Sequence, residues 1–238
     1  ISAIFTDGLT APSTEHWMGT DQIGRDYLSR LMSGGRIALL VSVIGVAAAV
    51  AVGTALGLVA GYFGGWIDDA VMRLTDTLMS VPELLLIAIL VLTFGKDLAA
   101  LSLIVALVSP PGVIRVIRAR AISIAALDFV RAAELRGEAT AYILFREIAP
   151  NLTGLLAVEV AIRISSAVLK ISALSFLGLG ISQPTPDWGL MVQEAMVVVF
   201  TDAWFLILPS IALSSLIIGI NFTVDGFARA YGISQLEP

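Results

Sequence analysis

From Ile37 to Ile67 the chain runs for 31 residues without an ionisable side chain other than Tyr62. A run of that length can lie fully buried only in a very large core or in lipid, where a spanning helix needs roughly 17–25 apolar residues. Ala203–Val224 is a second clean run of 22 residues, and Leu98–Ile114 a third of 17. Two more are less clean: about 77–95, with Glu83 near its start, and about 151–177, which carries Glu159, Arg163 and Lys170. The expected fold is an all-α integral membrane protein with five spans. Composition agrees, since only 14% of residues are charged against roughly 25% in a soluble domain. The stretch 190–200 is too short to span and contains Glu194; it is expected to be a re-entrant or surface helix.

Orientation follows from lysine and arginine, which favour the cytoplasmic side. The loop between the third and fourth spans holds Arg115, Arg118, Arg120, Arg131, Arg136 and Arg146, which assigns 118–150 to the cytoplasm. By parity the 64–76 loop and the tail from Asp225 are inside, and residues 1–36, the turn at Lys96 and the 178–202 loop outside. Eight basic residues then fall inside, four outside and two in the membrane; Arg25, Arg30 and Arg36 oppose the bias. A polar, extracytoplasmic segment 1–36 needs something to carry it across. The expectation is a translocating helix ahead of residue 1, giving six spans with both ends cytoplasmic.

Several chemistries are excluded early. The chain has no cysteine and a single histidine, His16, which rules out disulfides and thiolate metal sites and makes a histidine metal cluster or a Ser-His-Asp triad implausible. No Gly-x-x-x-x-Gly-Lys-[Ser/Thr] phosphate loop occurs, the lone Gly95-Lys96 being followed by Asp97, so this chain has no such route to ATP hydrolysis. "MSGGR" at 32–36 superficially matches the LSGGQ signature of ATP-binding cassette ATPases. With no phosphate loop it reads instead as a flexible lead-in to the first span. No carboxylate pair or nucleophile elbow points to an enzyme.

The first span carries a stripe of Gly45, Ala49, Gly53, Gly57 and Gly61 at every fourth residue. Such stripes let helix backbones approach closely in lipid, and tight packing is the expected use. Pro110-Pro111-Gly112 interrupts the third span, where proline frees backbone carbonyls; a hinge along a path and a local packing bend are both open. Glu159 and Arg163 have the spacing and order of a helical ion pair. With Lys170 they either line a translocation path or neutralise one another or a neighbouring subunit, because charge at membrane depth is costly and turns inward. Near the start, Asp26 is expected to cap a short helix at Tyr27–Met32.

Residues 128–150, "DFVRAAELRGEATAYILFREIAP", gather seven charges in 23 positions. Asp128 is a plausible N-cap for a helix over 129–136, which Gly137 can end in the left-handed conformation. Thr140 can cap a second helix, 141–148, before Pro150. Small residues at Ala132, Ala133 and Gly137 would let another protein approach, with Tyr142, Phe145 and Ile148 as apolar contacts and a polar rim of Arg131, Glu134 and Arg146. An ordinary solvated loop remains equally open on these grounds.

This stretch resembles the "EAA" loop of permease subunits of ATP-binding cassette importers, with Ala132, Ala133, Gly137 and Pro150 at the family's spacing. It departs at Arg131, where the pattern has glutamate, and at Ala149, where leucine is preferred. "HWMGTDQIGRDYLSRLMSGGRIALL" (16–40), "AGYFGGWIDDAVMRLTD" (60–76) and "SFLGLGISQPTPDWGLM" (175–191) extend the resemblance over most of the chain. They narrow it to the peptide/nickel branch, on the side of the dipeptide and oligopeptide "C" permeases.

The resemblance implies a type I importer transmembrane domain, with an extracytoplasmic segment 1–36 and a permease domain 37–238, in a bacterial cytoplasmic (inner) membrane. It implies a second permease, two ATPase subunits that use ATP and Mg, an extracytoplasmic solute-binding protein and no nucleic acid. The chain itself would be no enzyme and bind no cofactor or metal. In such importers the helix after the EAA glycine sits in a cleft of the ATPase, which turns the pore by rigid-body rocking. The acidic 178–202 loop becomes a candidate surface for the binding protein, and the cap region at Asp26 either touches that protein or lies on the membrane. Peptide is the expected cargo; nickel or another small solute, and an ATP-independent secondary transporter, are the alternatives.

Overall fold

The computed structural model describes residues 8–10 and 12–230, side chains at 225 and 227–230 excepted. The assignment of the last residues, 231–238, to the inner side therefore lies outside the described residues, as does everything before residue 8. The described chain is helical and built around α1, Tyr27–Phe63, a 37-residue helix about 55 Å long at 1.5 Å per residue. Asp26 caps it by accepting from the Ser29 amide at 2.8 Å, as expected. The helix nevertheless starts well before the uncharged run, and the short Tyr27–Met32 helix and flexible lead-in are not separate features. An uncharged run reports where lipid is the solvent; helix propagation needs only that Arg30 and Arg36 find partners or water.

Gly34 and Gly35 have a packing role instead. The Trp188 ring lies across them, so that a Cβ on Gly34 would come within 2.5 Å of ring carbon. Its indole N–H donates to the Leu31 carbonyl at 2.7 Å.

The stripe on α1 packs as its spacing predicts. A Cβ on Gly45 would sit 2.6 Å from Val105, on Gly53 2.6 Å from Val113, on Gly57 2.9 Å from Ile117 and on Gly61 2.7 Å from Ala121. These partners belong to α4, Leu98–Val108, and α5, Pro110–Ala125. The expected third span therefore continues to Ala125, with a break at Ser109. Pro110 and Pro111 are the first two residues of α5 rather than an interruption within a helix. That position tolerates proline because a first-turn N–H has no intrahelical partner.

Gly64 and Gly65 both take positive φ (61° and 55°) and turn the chain into α2, Gly65–Met79, which is followed by α3, Glu83–Phe94. These two helices bend by 83° around residues 80–82. The second span is therefore broken; among the described residues four other helices are long and apolar enough to cross, and five spans result only if the pair counts as one. Arg118 forks onto Asp68 and Arg115 reaches Asp76 at 2.6 Å, tying α2 to α5. The Arg115–Asp76 pair is exposed and contributes little.

After α6, Asp128–Leu135, one helical path of 37 residues runs from Thr140 to Phe176; it begins as α7, Thr140–Tyr142, and ends as α8, Thr153–Phe176. α9, Trp188–Ala195, is short as expected, and α10, Trp204–Ala230, closes the fold. α9 is held between α8 and α10. Gly189 packs against the Ser172 carbonyl and Gly180 against Ser175, while Tyr27 donates to the Phe205 carbonyl at 2.7 Å.

A buried ionic cluster joins the segment before α1 to α9. Asp21 accepts from Arg25 Nε at 2.7 Å, Arg30 Nη1 contacts Glu194 at 2.7 Å, and Gln183 donates to Glu194 at 2.6 Å. Burial would raise the Asp21 carboxyl, but hydrogen bonds from the Arg25 backbone and side chain and from the Ile23 amide, with the Arg30 charge, hold it below the usual aspartate range. The ionised form is the stabilised one. Its contribution is complete above about pH 4 and is lost only as pH falls through the lowered value. Removing Arg30 leaves Asp21 and Glu194 short of a cation, so Arg30→Ala is expected to cost about 3 kcal/mol. Thermal unfolding in detergent and protease cleavage before Tyr27 should both register it; an unchanged midpoint would show the cluster to be idle.

Candidate functional site

The 128–150 segment lies at the end of α1 opposite that cluster, where the Tyr62 hydroxyl donates to Glu134 at 2.9 Å. α6 starts one residue earlier than expected. Leu127 is its N-cap and Asp128 its first helical residue, so the Asp128 charge acts on the helix dipole rather than as a side-chain cap. The end is as the glycine predicts. Gly137 has φ 76°, its amide donates to the Glu134 carbonyl at 3.0 Å, and the Glu138 amide donates to Ala133 at 3.2 Å. That pair of bonds is the Schellman closure, which satisfies carbonyls the helix end leaves free.

The second expected helix is not a separate element. Ala139 is the N-cap and Thr140 the first helical residue. The chain then winds through a π segment, Ile143–Ile148, and a 3₁₀ segment, Ala149–Leu152, directly into α8. Pro150 supplies a reason. It has no N–H for the Arg146 carbonyl, and its ring crowds that carbonyl in regular α geometry, so the local winding departs from α while the path continues.

This geometry sorts the expected contact residues into two faces. Val130, Ala133, Ile143, Leu144, Ile148 and Leu152 are buried and join the main core. Ile148 is thus an internal anchor, not a contact for another protein, and Ala133 is internal too. Exposed are Arg131, Ala132, Glu134, Gly137, Thr140, Arg146 and Pro150, along with Tyr142 and, at 71%, Phe145. Leu135, 90% exposed, was not singled out by sequence. Its place next to the bend, off the buried Val130/Ala133 face, is the signal that could have found it. Arg136 sits 3.5 Å from Glu138 and 3.8 Å from Glu147, a loose rim around the two exposed apolar side chains.

The charged residues of the fourth span are all paired. Arg163 Nε donates to Glu159 at 2.9 Å, the ion pair read from spacing, and the Arg163 guanidinium packs against Gly112. The first turn of α5, through Gly112, and the Glu159/Arg163 pair are therefore neighbours. Lys170 is elsewhere: its Nζ lies 2.6 Å from Glu83 at the start of α3, a partner sequence spacing does not reveal. The Ser165 hydroxyl contacts Asn221 of α10 at 3.1 Å.

Comparison with known proteins places the chain in a family. Residues 53–232 match the family model described as binding-protein-dependent transport system inner membrane component. The chain belongs to that family. It is accordingly a transport component rather than a catalyst. It is 35% identical over 222 residues to the dipeptide transport system permease protein DppC of Alkalihalophilus pseudofirmus, covering 93% of this chain and 73% of that one. It is also 35% identical over 219 residues to the glutathione transport system permease protein GsiD of Pectobacterium atrosepticum, covering 92% and 73%. The fold of this inner membrane component matches a chain of the MetNI methionine ABC transporter, in a structure of its inward facing conformations. The TM-score is 0.71 over 85% of this chain and 96% of that one, at 14% identity.

Proposed function

We propose that this chain is one of two permease subunits of an ATP-binding cassette importer for short peptides, driven through the 128–150 segment by ATPase subunits bound beneath it. What carries the reading is the bend at Gly137, which presents Leu135 and Phe145 to solvent at the bundle end remote from the Asp21–Glu194 cluster. A rigid, apolar, charge-rimmed projection fits a cleft on a soluble partner. The basic loop supports a cytoplasmic position for that end, and with it an outer position for the cluster end and 178–202, facing a solute-binding protein. Much of α10 is exposed and apolar, including Ile207, Ile211, Ile218 and Phe222, surface suited to lipid and to a second permease. ATP and Mg would be used by the ATPases, not here. A relative named for dipeptides and another for glutathione favour a peptide over nickel.

Phe145→Asp tests the docking directly. Losing a central aromatic anchor costs 2 kcal/mol or more, so ATPase subunits should co-purify with the variant roughly 30-fold less well, with membrane insertion unchanged. Undiminished co-purification would remove the proposed handle. Cargo is tested by asking which solutes, presented by the cognate binding protein, stimulate ATP hydrolysis in the reconstituted complex. Short peptides should do so, and stimulation by nickel alone would overturn the peptide assignment.

A further inference from the structure

The pair formed by Lys170 and Glu83 has features that a packing bridge does not need. Its depth can be read from the α1 ladder: Gly45 meets Val105 and Gly53 meets Pro110, and Lys170 shares the wall of a small cavity with Val105 and Ser109. Lys170 therefore lies between the levels of Gly45 and Gly53, near the middle both of α1 and of its uncharged run. Yet the pair is not enclosed, with side-chain exposures of 21% for Lys170 and 40% for Glu83. Half-exposed charge at mid-depth cannot face lipid; it faces protein or a water-filled path. Glu159, Arg163 and Lys170, four and seven residues apart, share one side of α8, so that whole side is turned away from lipid.

A sharp helix break and a proline junction meet at this level. Glu83 opens α3 just after the 83° bend, and Ser109 separates α4 from α5. Discontinuous helices at mid-depth are a recurrent way of building a solute site in a membrane. The two heads also match a specific ligand chemistry, that of a free peptide with an ammonium at one end and a carboxylate at the other.

We propose that Glu83 and Lys170 form a mid-membrane peptide-end site, Glu83 taking the α-ammonium and Lys170 the α-carboxylate, with the two side chains pairing with each other when no peptide is present. This rests on the peptide reading above. The Lys170–Glu83 contact is then a closed gate, and a passing peptide replaces it with two ion pairs of the same kind, so the charges are never left bare. The Glu159–Arg163 pair is a fixed neighbour: Glu159 is buried and Arg163 is held against Gly112.

The test uses the full complex, with ATPases and binding protein, in proteoliposomes. Two cargoes are compared, a free dipeptide and the same dipeptide N-acetylated and C-amidated, each as a ratio of variant to parent so that the binding protein's own preference cancels. In Glu83→Gln/Lys170→Met, free-dipeptide uptake is expected to fall about tenfold or more, the value of a charged hydrogen bond, and capped-peptide uptake by less than about twofold. Binding-protein-stimulated hydrolysis should persist, which shows assembly. Glu83→Asp/Lys170→Arg, which keeps both charges but moves them, should show the same bias if the neutral pair fails to assemble.

Because the chain has no cysteine, Glu83→Cys adds a single thiol to it. That thiol should react with a membrane-impermeant reagent in at least one nucleotide state. An equal fall for both cargoes, no fall, or an unreactive thiol in every state overturns the site while leaving the peptide reading intact. A parent complex that hydrolyses ATP in response to its binding protein yet moves neither peptide overturns the peptide reading itself.

Discussion

Gly137→Trp is expected to leave the subunit folded and inserted while abolishing ATP-driven uptake. The substitution forces an L side chain into φ 76°, which costs about 1–2 kcal/mol, too little to unfold a bundle of this size. No atom lies within 4 Å of a Cβ built there, so the indole has room in this chain. It would add bulk at the bend that follows the exposed Leu135, on the segment proposed to meet the ATPase. Uptake and binding-protein-stimulated hydrolysis in proteoliposomes should both drop to background. Gly137→Ala separates strain from bulk: it carries the same backbone penalty but should keep most of the coupling. A tryptophan variant that imports at the parent's rate would show that nothing grips this bend.

The second large effect belongs to the α1 seam. In Gly53→Leu the new Cβ would stand 2.6 Å from Val113 and 3.2 Å from the Pro110 carbonyl. One neighbour is main chain and the other a β-branched side chain, so neither moves aside easily. Overpacking typically costs 1–3 kcal/mol, and this site should lie at or above about 3 kcal/mol, because added apolar surface brings little compensation when the solvent is lipid. The readouts are the yield of monodisperse subunit and its thermal midpoint in detergent. Gly219→Leu in α10 is the matched control: nothing lies near its Cβ, and it should change stability by no more than about 0.5 kcal/mol. Equal behaviour of the two variants would refute the seam as a determinant of packing.

These contrasts also indicate what a sequence of this kind makes legible. The α1 stripe, the Asp26 cap, the left-handed Gly137 and the Glu159–Arg163 pair depend on residues within a turn or so of one another, or on one helix face, and each stands where its spacing put it. Features made by distant segments were not legible. Gly34 and Gly35 look flexible until Trp188, far along the chain, is laid over them. Lys170 looks isolated until Glu83 arrives from α3. Ile148 and Phe145, three residues apart in one apolar stretch, differ only in which side meets the core. Helix limits were misplaced where hydropathy stood in for helicity: the uncharged run begins at Ile37, but the helix begins at Tyr27, and the Ser80–Pro82 bend divides what hydropathy reads as a single crossing.

The glycine seam restricts where this molecule can flex. Four glycines of α1 let its main chain close on the Val105, Val113, Ile117 and Ala121 side chains and on the Ser102, Pro110, Ile114 and Arg118 carbonyls of the neighbouring pair, and at these positions α1 itself has no side chain that could change rotamer. Surfaces in such contact have one fitted arrangement and little slack, so α1, α4 and α5 are expected to shift as a block. Any swing that opens or shuts a passage must be taken up where side chains form the joint, between α8 and α10 and between α8 and α3. Crosslinks across the first set should leave turnover intact, whereas crosslinks across the second should arrest it.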